Sequence, residues 1–216
     1  MNKQKPSPHD FFAQAKLQTI QLQESEVQIF VPDADVVHES YHRGEISFPY
    51  WSKIWPAAIA LTEFLLEHPY LVQDKNVIEL GAGLGLPSLV AARFATDVIC
   101  TDHSPEAVAF ASLSASHNRL TNFHAYSLDW NEMQEEIGAD VMLLSDINYE
   151  PLAFDALMKL VFSFLEKGEA ILLSTPQRLM AKDFITAILP FCKQQEQRVV
   201  FYDGIETPIS LFVLHN

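Results

Sequence analysis

Seven glycines occur in this chain of 216 residues, and three of them fall at alternate positions, Gly81, Gly83 and Gly85. An apolar run, Val77-Ile78-Glu79-Leu80, feeds into them, and an amphipathic run, Pro87 to Phe94, leaves them. The pattern predicts a strand, a tight turn that needs residues tolerant of positive φ, and the start of a helix. Such a turn lets a ligand approach the backbone closely, and a helix N-terminus offers it free N–H groups.

Downstream and upstream of the turn, strand-like and helix-like runs alternate. Pro56 to Glu67 reads as a helix with proline at its first position. Strands are expected at Asn76 to Leu80, Val98 to Thr101, Phe123 to Ser127, Val141 to Leu144 and Ala170 to Leu173. Helices are expected at Leu86 to Phe94, from Pro105 to about Asn118 with Ser104 as N-cap, at Pro151 to Leu165 and at Leu179 to Leu189. Gln197 to Tyr202 and Ile209 to Leu214 read as two closing strands. At the other end, residues 18 to 32 alternate apolar and polar and predict a β-hairpin, after a loose arm with a short helix around Phe11 to Leu17. Residues 33 to 50 are polar and read as an irregular loop. The alternation implies an α/β fold with a parallel sheet covered on both faces, whose ligands bind beyond the carboxyl ends of the strands.

Composition narrows the function. The formal net charge is −14 and the 14 Lys and Arg are scattered, which argues against a nucleic-acid partner. An acidic surface is compatible with a cationic or protein substrate, and equally with mere solubility. No apolar run reaches the roughly 18 residues that span a bilayer, so no membrane partner is expected. Lysines near the N-terminus are not followed by an apolar h-region, and Cys100 and Cys192 lie far apart. These features fit reduced thiols in a cytoplasmic protein, with no metal set.

The residues that follow the strands carry the chemistry. The glycines run G-x-G-x-G; the third position of a dinucleotide turn falls on Leu86, too large for the close helix–strand contact that a nicotinamide cofactor's turn makes. Glu79, two residues before Gly81, would repel a pyrophosphate and suits a ligand with a positive group. Asp102 ends the next strand and is placed to accept from ribose hydroxyls, with His103 exposed or beside the sugar; the alternative is a turn aspartate. Asp129-Trp130 can accept an adenine amino group and cover a base, or can be a turn aspartate with a core indole. Ser145-Asp146-Ile147-Asn148-Tyr149 follows the fourth strand, where the reacting end of a ligand would lie. Trp55, at a loop-to-helix junction, is placed as a ligand wall, and Trp51 as either packing or a substrate lip.

Glu79-Leu-Gly-Ala-Gly-Leu-Gly, Asp102 and Asp129-Trp130 resemble the class I, seven-β-strand S-adenosylmethionine-dependent methyltransferases over residues 50 to 216. The resemblance implies a Rossmann-like doubly wound seven-stranded sheet, mostly parallel with an antiparallel last strand. It divides the chain into an N-terminal arm, hairpin and loop over residues 1–50 and a methyltransferase domain over 51–216. It also implies S-adenosyl-L-methionine as cofactor, held by Trp55, Glu79, Gly81, Gly83, Gly85, Asp102, His103, Asp129, Trp130 and Ser145. Trp55-Pro56 and the Asp146-x-x-Tyr149 spacing are similar to the protein-lysine methyltransferases of chaperones, elongation factors and the electron-transfer flavoprotein β-subunit. That branch implies catalytic roles for Asp146 and Tyr149, a substrate role for Trp51 and Asn148, and a monomer that methylates a protein lysine. A small-molecule N-methyltransferase and a non-catalytic cofactor-binding protein are the alternatives.

Overall fold

The computed structural model describes residues 11–22, 25–130, 138–148, 154–178 and 181–216. Two strands, β1 (Lys16–Leu22) and β2 (Ser25–Val31), pair antiparallel from Lys16↔Val31 to Leu22↔Ser25. A seven-stranded sheet follows, formed by β3 (Asn76–Leu80), β4 (Asp97–Asp102), β5 (Phe123–Ser127), β6 (Val141–Ser145), β7 (Ala170–Pro176), β8 (Cys192–Tyr202) and β9 (Ile205–Leu214). Its order is β5-β4-β3-β6-β7-β9-β8. The pairs among β3 to β7 are parallel, and β9 runs antiparallel to both β7 and β8. This is the expected Rossmann-like architecture with an antiparallel last strand and an N-terminal hairpin. The chain leaves β3 toward β4 and β5, then returns to β6 on the other side of β3. That reversal is the topological switch point, where the strand ends open a crevice.

The helices described are α1 (Ala34–His42), α2 (Pro56–Glu67), α3 (Leu86–Ala91), α4 (Pro105–His117), α5 (Phe154–Glu166) and α6 (Lys182–Ile188). The central strands β3 and β6 are buried on both faces, as continuous apolar runs between two helical layers must be. One hydrophobic cluster lies on the α2, α3 and α4 side and a second on the α5 and α6 side. Helix α2 is apolar on nearly every face: Ala57 to Thr62, Phe64 and Leu65 are all buried. Ser174 Oγ in β7 donates to the Ala57 carbonyl at 2.8 Å and fixes the start of α2 against the sheet.

The hairpin is docked by side chains as well as by its apolar face. Ile20, Leu22, Val27 and Ile29 enter the cluster under α4. The Phe30 N–H donates to Ser114 Oγ at 3.0 Å, Asn118 Nδ2 donates to the Gln28 carbonyl at 2.6 Å, and Arg93 Nη2 donates to the Glu26 carbonyl at 2.6 Å. No helix among the described residues is long and apolar enough to cross a membrane.

Four expectations change. Residues 33–50 are not a continuous loop: Asp33 accepts from the N–H groups of Asp35 and Val36 and so starts α1. The polar outer face of α1 (only Val37 and Ser40 are buried) hid its periodicity. The short helix expected around Phe11 to Leu17 is helical only at Phe11 and Phe12 among the described residues, because Lys16 already belongs to β1. The last helix is shorter than expected, Lys182–Ile188. Both closing strands are longer, since β8 starts at Cys192 and β9 at Ile205, with the Asp203-Gly204 turn between them at φ +53° and +75°.

Glycine matters most at position 85. Its φ is +78°, and a Cβ there would sit 3.0 Å from Cys100 Sγ and 3.2 Å from Ala111 Cβ. Gly204 shares the positive φ, at +75°, but a Cβ would meet nothing within 4 Å. Backbone strain alone predicts a loss of about 1 kcal/mol for Gly204→Ala. Strain plus overpacking predicts roughly 2–4 kcal/mol for Gly85→Ala. Urea unfolding of the two variants measures the difference; equal losses would mean that the α3–sheet contact is not tight.

Candidate functional site

A cavity of about 700 Å³ opens at the switch point. Its walls come from the turn after β3 (Gly81 to Leu86), the end of β4 (Asp102 to Glu106), the end of β6 (Ser145 to Ile147), Trp130, Arg178 and the segment from Gly44 to Ala58. The volume is that of an ordinary small-molecule pocket. Most of the residues singled out from sequence converge here, although they are spread along the chain from Trp51 to Asp146.

The glycine turn is built differently from the way its spacing suggests. All three glycines have positive φ, at +60°, +55° and +78°. A Cβ on Gly81 would lie 3.1 Å from the Trp130 ring, so Gly81 makes room for the indole. Gly85 makes room for β4 and α4. The close helix–strand contact that Leu86 is too large to make is therefore made one residue earlier. Gly83 has only the Trp51 backbone at ordinary contact distance and faces the cavity, and its N–H donates to Asp102 Oδ2 at 2.8 Å.

Glu79 lies beneath this turn. Its side chain is fully buried and is not on the cavity wall. One carboxylate oxygen accepts from the Ser88 N–H at 3.0 Å and from the Ser88 hydroxyl at 2.5 Å; the other is 3.4 Å from Ser145 Oγ. Burial pushes this carboxyl up to about 8, against the opposing pull of those hydrogen bonds. The expected direct facing of a ligand's positive group is thus corrected. Glu79 satisfies the first turn of α3 and reaches the cavity through Ser145, which does line it.

Asp102 sits on the wall. Its Oδ2 holds Gly83 N–H and its Oδ1 holds Ser104 N–H at 2.8 Å. Burial raises its carboxyl, and the two backbone donors counter that. Each oxygen keeps a further lone pair for a ligand hydroxyl. His103 also lines the cavity but is largely exposed, with Nδ1 3.7 Å from Asp129 Oδ2. Asp129 itself is off the wall, whereas Trp130 is on it; the indole Nε1 is buried with no hydrogen-bond partner among the described residues.

Trp55 meets the wall with its Nε1 fixed by the Tyr50 carbonyl at 2.9 Å and Lys53 Nζ 4.0 Å from its ring centroid. The Trp51 ring is 7% exposed and packs on Phe11 and Phe110, with centroids at 6.0 and 5.8 Å. Its packing reading is realised, and the residue also lines the cavity, so the lip reading stays open. Asn148 is also corrected. It is fully buried off the wall, where its Oδ1 accepts from Thr175 Oγ1 at 2.6 Å and ties the end of β6 to that of β7. Tyr149 lies outside the described residues.

Asp146 occupies the far side of the cavity with φ +53°, a left-handed backbone that aspartate tolerates better than most residues. Its N–H donates to the Ser174 carbonyl at 2.9 Å. Arg178, which no motif singles out, grips the carboxylate with both terminal nitrogens: Nη2 donates to Oδ2 at 2.8 Å and Nη1 to Oδ1. It follows β7 by two residues, and strand length was the only signal that pointed there. Burial raises the Asp146 carboxyl, and the guanidinium pulls it back.

The donor set fits S-adenosyl-L-methionine. A carboxylate on the wall at Asp102 suits ribose hydroxyls, and the orphaned Trp130 N–H lies beside the turn. The lysine and arginine on the wall, Lys53 and Arg178, are engaged with Trp55 and Asp146, so neither is poised for a phosphate.

A carboxyl raised in the folded state keeps a proton that the unfolded chain has released, so stability falls as pH rises between the two values. For Glu79 the window runs from 4.5 to about 8. Wild type is therefore expected to lose Tm relative to Glu79→Gln across that range, as read by thermal unfolding at several pH values. A constant difference would mean that Glu79 titrates as an ordinary carboxylate.

The lysine methyltransferase family model matches residues 48–191, well over half of the chain. The chain is 26% identical over 137 residues to the human histone-arginine methyltransferase METTL23, an alignment covering 61% of this chain and 72% of that protein. The mouse, Xenopus laevis and rat counterparts are matched over 51%, 53% and 57% of their lengths. It is 31% identical over 160 residues to the Danio rerio protein N-lysine methyltransferase METTL21A, covering 70% of this chain and 71% of that one. Among solved structures, the T. thermophilus 16S rRNA N2 G1207 methyltransferase superposes with a TM-score of 0.67 at 17% identity, over 94% of this chain and 51% of that one, and so shares its fold. The chain belongs to the lysine methyltransferase family, and S-adenosyl-L-methionine is its cofactor.

Proposed function

We propose that this chain methylates the side-chain nitrogen of a lysine in another protein. One observation carries the reading: two carboxylates, Asp102 and Asp146, line one cavity on either side of the glycine turn. Asp102 serves the ribose, with Gly83, Trp130 and Trp55 as the surrounding walls and Ser145 beside the cationic tail. His103 and Asp129 form the outer edge on the nucleoside side. Asp146 is left for the acceptor nitrogen, with Tyr149 three residues on to align it.

When bound, the cofactor supplies a methyl group on a sulfonium sulfur, and the amine lone pair takes that carbon as the carbon–sulfur electrons pass to sulfur. The reaction asks little acid catalysis of the protein, whose residues position the nitrogen and exclude water. A free lysine is protonated at neutral pH, with a reference pKa of about 10.4, so one proton must leave for water before attack. Asp146 then accepts an N–H of the amine and aims its lone pair.

A second reading has its own support: Asp146 already binds a guanidinium, that of Arg178, in a two-point grip. An arginine acceptor would fit the same carboxylate. Incubation with methyl-labelled S-adenosyl-L-methionine and host lysate, followed by mass spectrometry, decides between them. Label on protein lysine supports the proposal, label on arginine selects the second reading, and label only in small molecules or nowhere rejects both. Asp146→Asn is expected to lower transfer by about a hundredfold through misplacement of the nitrogen, with cofactor affinity by calorimetry unchanged. Asp102→Ala is expected to show the opposite pattern, with cofactor binding lost first.

A further inference from the structure

Arg178 sits where a substrate cation would be expected, and among the described residues of the cavity it is the one whose side chain pairs directly with Asp146. The ion pair is part-buried: the Arg178 side chain is 28% exposed and that of Asp146 7%. A carboxylate offers about four lone-pair sites, and a two-point arginine grip uses two of them. The other two remain for the acceptor. What changes is the charge the acceptor meets, because a carboxylate paired with a guanidinium presents almost none.

We propose that Arg178 is a positioning residue acting through Asp146: it fixes the carboxylate and cancels its charge, so that the acceptor nitrogen docks as a neutral amine rather than as an ammonium. This rests on the methyltransferase reading of the same cavity. A bare Asp146 would hold an ammonium tightly and thereby stabilise the form that cannot attack. A neighbouring cation works the other way, lowering the proton affinity of an amine beside it. The arrangement thus spends an arginine to keep the amine reactive, and it needs no general base on the protein.

Among the described residues, the other charges around Asp146 do not substitute for Arg178. Glu79 lies under β3 and reaches this end only through Ser145, and its buried carboxyl holds its proton. Asp102 and His103 belong to the end of β4, where Asp102 is committed to Gly83 and Ser104. From the overlying segment, Glu45 is held by Arg43 and Lys53 lies on Trp55. The backbone supports the same geometry: the Asp146 N–H is tied to Ser174 in β7, the strand that leads to Arg178.

The test uses the full chain as wild type, Arg178→Lys, Arg178→Gln and Asp146→Asn, each checked for cofactor binding. The first readout is carbon-13 NMR of aspartate-labelled protein, with the Asp146 signal identified by its loss in Asp146→Asn. The Asp146 titration midpoint should rise by roughly 1–3 pH units in Arg178→Gln and stay near wild type in Arg178→Lys. The same midpoint in all three overturns the proposal. This readout needs no acceptor, so it decides the Arg178 role even if no methylated lysine is found, which would sink the functional reading instead. The second readout is the pH profile of kcat at saturating labelled acceptor, which reports groups in the bound complex. Its rising limb should move to higher pH by about one unit in Arg178→Gln and be restored by Arg178→Lys. A fall by the same factor at every pH is what a merely structural arginine would give, and it would overturn the proposal.

Discussion

The carboxyl of Glu79, sealed under the glycine turn, accepts both the N–H and the hydroxyl of Ser88 and so joins strand β3 to helix α3 across the tightest bend in the fold. Much of the site hangs from that junction. With α3 started at a fixed point, Gly83 projects its N–H at Asp102, and Asp102 in turn holds Ser104 and the start of α4. Thr101 Oγ1 closes the loop by donating to the Glu79 carbonyl at 2.7 Å. Three elements are therefore positioned by one buried acid and its neighbours before any ligand arrives. Burying such a group is costly unless it is neutral or fully hydrogen-bonded, and here both conditions operate.

The cavity is organised by charge in two halves. On the β4 side the wall carries Asp102 backed by backbone donors. On the β6 side it carries Asp146 backed by a guanidinium. The two carboxylates thus have different partners: Asp102 accepts from two backbone N–H groups, while Asp146 is paired with a guanidinium. The aromatic groups Trp55 and Trp130 line the same cavity, one held by the Tyr50 carbonyl and the other packed on Gly81.

The architecture was legible because strands β3 to β7 are short, apolar and separated by amphipathic helices, a pattern that leaves few topologies open. The residues after each strand were legible for the same reason: a parallel sheet collects its strand ends in one place. What failed to show was of three kinds. Helix α1 buries only one narrow stripe, so its period is faint against a polar background. Asn148 is a different case, since its type suits a site as well as a core, and only the tertiary contact with Thr175 places it off the cavity wall. Arg178 escaped notice because β7 runs to Pro176, three residues past its apolar stretch, and carries the arginine into the cavity.

The crowding at Gly85 links residues that belong to three separate elements. Cys100 in β4 and Ala111 in α4 both touch the space a side chain at position 85 would fill. The sizes of residues 85, 100 and 111 are consequently not independent variables. A larger residue at position 100 or 111 would lift α3 off the sheet and carry Ser88 away from Glu79. In divergence or in redesign, these three positions are bound to change as a set, although Cys100 and Ala111 lie off the cavity wall.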